Sequence, residues 1–283
     1  MITKVNKRMN RKKRLTRLLA STGLLAITLI WLLPIVWMIV SSFRDSSDPF
    51  YLGVLPSYLT LASYRKVLSN PLYLNSMRNS AYVAFMAACV NLVISTLAAY
   101  GFSRFQFAGK KSFQSLLLIV RLFPGILLAI TLFRVAGNLG IYDTHVPLII
   151  ANVLFTLPLA TWNLRTMFEN LPVELEEAAW LDGTTRIGAI VRVLSPLMLP
   201  SLVTTWAYVF LLSWNEYMFA LSFIRTPEKQ MITTAIAANI GQYTVDYNSL
   251  VAASVLASIP LLIVFLFIQR YIISGQTVGA VRG

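Results

Sequence analysis

Leu18-Leu-Ala-Ser-Thr-Gly-Leu-Leu-Ala-Ile-Thr-Leu-Ile-Trp-Leu-Leu-Pro-Ile-Val-Trp-Met-Ile-Val40 is an unbroken run without a single ionisable side chain. It exceeds the ~20 residues a helix needs to cross a bilayer core. The 17 residues before it hold eight basic side chains and no acid: Lys4, Lys7, Arg8, Arg11, Lys12, Lys13, Arg14 and Arg17. A basic segment against an apolar run also opens a signal peptide. This run is too long for a signal core, and no small-x-small cleavage site follows it, so it is read as a retained first span. The basic tail reads as a cytoplasmic anchor facing anionic headgroups.

Working outward, five more runs are long enough to span, about 76–100, 113–136, 146–164, 197–223 and 250–269. The chain is 57% hydrophobic and only 12% charged, too little charge for the surface of a soluble domain of 283 residues. The runs are continuous rather than alternating, which argues for helices and against a barrel. The expected fold is therefore an all-α integral membrane protein with six transmembrane helices. The net charge of +13 is no sign of nucleic-acid binding, because the excess sits beside the first span and in the inner loops. With the N-terminus inside, segments 1–17, 101–112, 165–196 and 270–283 carry 16 Lys/Arg, and the outer segments 42–75, 137–145 and 224–249 carry 5. The positive-inside rule then places both termini in the cytoplasm. The domain organisation is a basic tail over 1–17, a six-helix domain over 18–269 and a cytoplasmic C-terminal tail over 270–283. The longest outer segment, with Pro49, Pro56 and Pro71, is expected to lie as a cap at the interface.

One cysteine, Cys89, allows no disulfide within the chain, and together with one histidine, His145, it is too few for a structural zinc site, so no metal is expected. Arg121 and Arg134 fall in the third run, where a charge must snorkel, pair with a neighbouring helix, or face a hydrated path. Pro124 removes a helix hydrogen bond and is expected to kink that run; Pro158 and Pro260 are candidates for the same effect. In the fifth run Trp214, Asn215, Glu216 and Tyr217 follow one another. Glu216 must face protein, water or the interface, while Trp214 and Tyr217 also suit an aromatic belt.

The inner segment 165–196 departs from the basic bias of its neighbours. It reads Leu171-Pro-Val-Glu-Leu-Glu-Glu-Ala-Ala-Trp-Leu-Asp-Gly183 and continues Thr184-Thr-Arg-Ile-Gly-Ala-Ile-Val-Arg-Val-Leu-Ser-Pro-Leu-Met-Leu-Pro200. Pro172 starts a helix, and Glu174, Glu176 and Glu177 suit its positive end. Ala178 and Ala179 permit close approach by another surface, and Gly183 ends the helix in a left-handed conformation. A second amphipathic helix places Ile187, Ile190, Val191 and Leu194 largely on one side. Chemistry alone leaves open whether this hairpin docks into a partner or lies at the interface.

The spacing Glu177-Ala-Ala-x3-Gly183-x9-Val193-x-x-Pro196 resembles the E-A-A-x3-G-x9-I-x-L-P loop of ATP-binding-cassette importer permeases. Val193 stands where the pattern has isoleucine, and Ser195 where it has leucine. The likeness extends over nearly the whole chain to the smaller permease of maltose-type carbohydrate importers. It includes Arg121-Leu-Phe-Pro124, Trp214-Asn-Glu-Tyr217 and an ending in Gly279-Ala-Val-Arg-Gly283, where Arg282 replaces the usual lysine. The resemblance implies an importer permease fold in a bacterial or archaeal cytoplasmic membrane. It implies a second permease subunit in a heterodimer, two cytoplasmic ATPase subunits that carry ATP and Mg, and an extracytoplasmic sugar-binding protein. It assigns ATPase coupling to Glu176, Glu177, Ala178, Ala179, Asp182, Gly183 and Pro196, and a translocation pathway to Arg121, Trp214, Asn215, Glu216 and Tyr217. Maltose-like or trehalose-like disaccharides are the expected solutes.

The chain itself is expected to bind no cofactor. It has no G-x-x-x-x-G-K-[ST] loop; Gly109-Lys110-Lys111 comes nearest, with Arg104 in place of the first glycine. A stand-alone secondary transporter is the alternative, but it calls for paired intramembrane acids or histidines, and the spans offer only Glu216. An intramembrane protease needs a base beside a nucleophile, which His145 lacks.

Overall fold

The structure, a computed structural model, describes residues 2–44, 58–122, 124–238 and 246–280, and side chains within 17–44, 58–122, 124–238 and 246–271. Among the described residues there is no strand. The first helices are α1 (Ile2–Ser42), α2 (Ala62–Ser69), α3 (Pro71–Arg104), α4 (Lys110–Val120), α5 (Gly125–Asn138) and α6 (His145–Asn170). The hairpin follows as α7 (Glu174–Leu181), α8 (Arg186–Ala189), a π-turn (Ile190–Leu194) and α9 (Ser195–Leu197). Then come α10 (Leu199–Trp214), α11 (Met218–Phe223), a 3-10 turn (Pro227–Lys229), α12 (Ile232–Ala237) and α13 (Tyr247–Ala280). Four of these are long and apolar enough to cross a membrane, and two bent pairs bring the number to six if each counts as one span.

By contacts the chain resolves into two units, 1–69 with 244–255 and 70–243 with 256–283. In the first, the Ser42 and Tyr64 hydroxyls share a hydrogen bond of 2.6 Å, and Lys66 pairs with Asp246 at 2.6 Å. Asp246 also accepts the amide of Ser249 at 3.0 Å, capping the start of α13. Apolar side chains of α1 such as Leu24 and Trp31 are exposed, a surface suited to lipid or another protein. The cap expected over 42–75 falls, for 45–57, outside the described residues.

The second unit is built on α3. Asn70 accepts the amide of Leu72 at 3.0 Å and Pro71 opens the helix, a favourable N-terminus that starts it before the apolar run itself. Buried Ala84, Ala88 and Ala99 of α3, with Ala151 and Ala160 of α6, let the two backbones approach closely. Asn91, fully buried, donates across this seam to Thr156 Oγ1 at 2.8 Å. Against them packs α10, whose Trp206 indole donates to Cys89 Sγ at 3.4 Å.

The ends of α3 and α6 coincide. Near their starts, Asn79 donates to the Glu228 carbonyl at 2.9 Å and His145 Nε2 lies 3.1 Å from the Lys229 carbonyl. Near their last residues, Arg104 donates to the Leu171 carbonyl at 3.0 Å. The two helices therefore run parallel, and the chain between them must return from one end to the other. It does so in two pieces. The kink expected at Pro124 is a full break, with α4 and α5 at 97°. Pro124 caps α5 instead of interrupting a helix. Pro158 and Pro260 lie inside α6 and α13. The fifth run also ends early: α10 stops at Trp214, and 215–217 form a break before α11.

The polar bridge across the α3–α6 seam is open to test. Asn91→Ala is expected to cost about 1 kcal/mol, whereas Ala88→Phe overpacks the seam and costs about 3 kcal/mol or prevents folding. Thermal unfolding of the detergent-solubilised protein measures both; equal stability of Ala88→Phe and wild type would contradict this packing.

Candidate functional site

The segment between α6 and α10 forms two short helices, as its sequence suggests. Val173, directly after Pro172, is the N-cap position of α7, and Glu174, Glu176 and Glu177 occupy its first turn. Its C-terminus closes on Gly183 at φ +83. The Thr184 amide reaches the Ala179 carbonyl at 3.0 Å and the Gly183 amide reaches Trp180 at 2.9 Å, the paired bonds of a Schellman motif. Thr185 then caps α8 by accepting the Gly188 amide at 3.1 Å. After the π-turn, the chain bends by 89° at Met198 and enters α10.

The hairpin has two faces. On the inner one, Glu176 is 1% exposed. It pairs with Arg104 Nε and accepts the Tyr100 hydroxyl at 3.0 Å. Arg104 also donates to the Leu171 carbonyl, so one guanidinium ties α3 to both α7 and the end of α6. Tyr100 packs edge-on against Phe168 at 5.6 Å, within a cluster that also buries Leu164, Ile190, Leu194 and Met198. Arg186 lies over Phe105 at 5.0 Å and over Trp180 at 5.5 Å.

The outer face presents Glu177, Ala178, Asp182, Gly183 and Pro196. Among them stand large apolar side chains: Leu181 is 90% exposed, Ile187 68% and Val191 60%. Two placements differ from the sequence reading. Glu176, grouped there with the contact residues, is turned inward, and Ala179 is buried beside it. Of the four apolar residues expected on one side of the second helix, Ile190 and Leu194 are buried. Ile187 and Val191, expected on that packed side, lie on a neighbouring stripe that is left uncovered among the described residues. Arg104, Tyr100 and Leu181 were not singled out by sequence; an ion pair between positions 104 and 176 leaves no local signature.

The other candidate residues lie around the α4–α5 break and the end of α10. Arg121 is partly buried, stacks over Phe155 at 5.7 Å, and leaves Nη1 buried without a hydrogen bond. Phe155 in turn meets Phe219 edge-on at 6.3 Å. Glu216 accepts the amides of Phe219 at 2.7 Å and Ala220 at 2.9 Å, so its carboxylate caps α11. Arg121 and Glu216 are thus connected through Phe155 and Phe219, the latter by its backbone amide. Trp214 is buried and stacks on Phe210 at 5.9 Å, while Asn215 and Tyr217 are exposed.

At the end of the unit opposite the hairpin, Asp143 makes a second polar knot. It adopts φ +57, a conformation a short polar side chain tolerates. It accepts the Thr226 hydroxyl at 2.5 Å and the amides of Arg225 and Thr226 at 2.8 and 3.0 Å, and it pairs with Lys229 at 3.3 Å. These bonds, that from the Thr226 hydroxyl first, hold its carboxyl well below the usual carboxylate range.

Residues 91–277 match the family model described as "Binding-protein-dependent transport system inner membrane component". The inner membrane ABC transporter permease protein YcjP of Escherichia coli K12 is 34% identical over 253 residues, covering 87% of this chain and 89% of the relative. The trehalose/maltose transport system permease protein MalG of Thermococcus litoralis is 38% identical over 251 residues, 87% of this chain and 90% of the relative. The trehalose transport system permease protein SugB of Mycobacterium tuberculosis is 34% identical over 232 residues, 81% and 85%. Among solved structures, a chain of a bacterial ABC transporter involved in the import of the acidic polysaccharide alginate superposes with TM-score 0.79. It is 21% identical and covers 92% of this chain and 98% of that one; at this identity the likeness concerns the fold.

Two substitutions test the polar knots. Glu176→Gln leaves Arg104 without its counter-charge and is expected to lower stability by about 3 kcal/mol, whereas Glu177→Gln on the outer face stays within about 0.5 kcal/mol of wild type. For Asp143, a depressed carboxyl contributes stability that is complete above its unfolded value and is lost as pH falls from about 4 toward its native value. The stability gap between wild type and Asp143→Asn is therefore constant from pH 8 to 5 and narrows only in stronger acid. Thermal melts at pH 7 read the first effect, and a series from pH 8 to pH 3 reads the second.

Proposed function

The chain belongs to the family of binding-protein-dependent transport system inner membrane components, and from that premise we propose that it is one permease subunit of an ATP-driven importer for a neutral disaccharide. It works beside a second permease subunit as a heterodimer. Two cytoplasmic ATPase subunits bind ATP and Mg, and an extracytoplasmic sugar-binding protein delivers the solute. The chain is a multi-pass protein of a bacterial or archaeal cytoplasmic membrane with both termini inside, an orientation supported by its 16 inner and 5 outer basic residues. The trehalose and maltose in the names of two relatives support the solute class.

The observation that carries this reading is the two-faced hairpin. Its outer face, with Leu181, Ile187 and Val191 exposed beside Glu177 and Ala178, is a small apolar knob with an acid at its edge. Such a knob fits a groove with apolar walls and a basic rim on a nucleotide-driven partner. Its inner face is bonded to α3 and α6 through Glu176, Arg104 and Leu171. Closure of the ATPase pair around ATP carries the hairpin with it. The buried ion pair passes the displacement to α3 and α6, and the bend at Met198 passes it to α10. Nucleotide biases the inward-open and outward-open states only because the docked hairpin makes different contacts in each. The chain performs no chemistry on ATP; it supplies a lever and half of the path.

Leu181→Asp and Glu177→Lys are each expected to reduce ATP-dependent sugar uptake by roughly tenfold or more and to weaken copurification of the ATPase subunits, while the amount of protein in the membrane is unchanged. Wild-type uptake and copurification by both variants would contradict the reading.

A further inference from the structure

Between α6 and α10, in the third of each helix nearest the hairpin, lies an open groove of about 340 Å³. Trp162, Asn163 and Thr166 line it from α6, and Ser201 and Thr204 from α10. Asn163 is seven residues from the end of α6, so the groove sits ~10 Å from that end at 1.5 Å per residue. Its volume falls in the range of small-molecule sites.

The lining has a definite chemistry. None of its side chains is ionised. Arg165, next to Thr166 on α6, is paired with Glu169 at 2.8 Å and lies over the Trp162 ring at 5.4 Å. The Thr166 and Thr204 hydroxyls donate to the Trp162 and Pro200 carbonyls of their own helices at 3.1 and 2.9 Å, which leaves their oxygens to accept from the groove. The Asn163 amide and the Ser201 hydroxyl are unbonded among the described residues and offer both donors and acceptors. Trp162 keeps 44% of its surface exposed. Asn163 sits at the inner end of the fourth apolar run and Ser201 and Thr204 at the start of the fifth, where unbonded amides and hydroxyls face protein or water and not hydrocarbon. A solute matching this wall donates and accepts through many hydroxyls, carries no charge, and offers a C–H face to an indole.

We infer that this groove contacts the sugar directly on the inner part of its path, so that this subunit, and not its partner alone, holds solute before release. The inference rests on the importer reading above and names residues outside both groups expected from sequence. It moves the solute contact away from Trp214, which is buried, and Glu216, which is occupied in capping α11.

The test uses the complete importer in proteoliposomes, with its binding protein and radiolabelled trehalose and maltose as probes. Trp162→Ala and Asn163→Leu are expected to lower the sugar moved per ATP hydrolysed by about fivefold and to change the ratio of trehalose to maltose uptake. ATP hydrolysis stimulated by loaded binding protein stays at the wild-type level, because the hairpin is untouched. Trp162→Phe, which keeps a flat ring, restores most of the yield. Wild-type yield and sugar ratio in Trp162→Ala and Asn163→Leu overturn the inference. Loss of the second permease from either purified complex also overturns it, and marks the groove as a subunit seat. A wild-type complex that imports neither sugar with ATP overturns the solute class itself, a failure visible before any variant is made.

Discussion

A single buried ion pair decides what the 171–198 hairpin can do. Glu176 has no access to solvent, and a carboxylate so placed is stable only with its charge met and its oxygens bonded. Arg104 and Tyr100 meet both needs, and the second arm of the guanidinium takes the Leu171 carbonyl. The pair thereby fastens the end of α3 to the joint between α6 and α7, 72 residues further along the chain. The cluster of Ile190, Leu194 and Met198 against Leu164 and Phe168 holds the other half of the hairpin to the same two helices. With both, the hairpin is part of the helix bundle.

The opposite end of the same unit is organised by Asp143, which gathers Arg225, Thr226 and Lys229 around one carboxylate. Each end of the α3–α6 pair is thus closed by a polar knot, and the long stretch between them is held by alanine contacts and one buried amide, Asn91. Small side chains allow sliding with little change in buried volume, while the knots keep each end together.

Much of this was legible in the sequence because it depends on local pattern. Apolar runs, the basic tail, the Gly183 turn and the E-A-A spacing are each contained within one segment, and the all-helical architecture follows from them. What was not legible depends on distant partners. Glu176 and Glu177 are chemically alike and adjacent; only Arg104 decides that the first turns inward and the second outward. Ile187 and Ile190 both fit an amphipathic helix, but the cluster around Leu164 and Met198 covers just one of their stripes. Pro124 announces a disturbance without stating that two helices will meet at 97°. The groove residues are single side chains at the inner ends of two apolar runs, and they form a wall only when α6 and α10 pack.

As proposed above, the hairpin is a lever held by a nucleotide-driven motor, and site-specific crosslinking tests that role most directly. Leu181→Cys in a Cys89→Ser background places one thiol at the tip of the hairpin's outer face. In the assembled complex, a short thiol-reactive photocrosslinker at that position should join this chain to an ATPase subunit, with a yield that changes between nucleotide-free and ATP-trapped states. A thiol labelled by an impermeant reagent from outside intact cells, or one that never reaches an ATPase subunit in either state, would contradict the account.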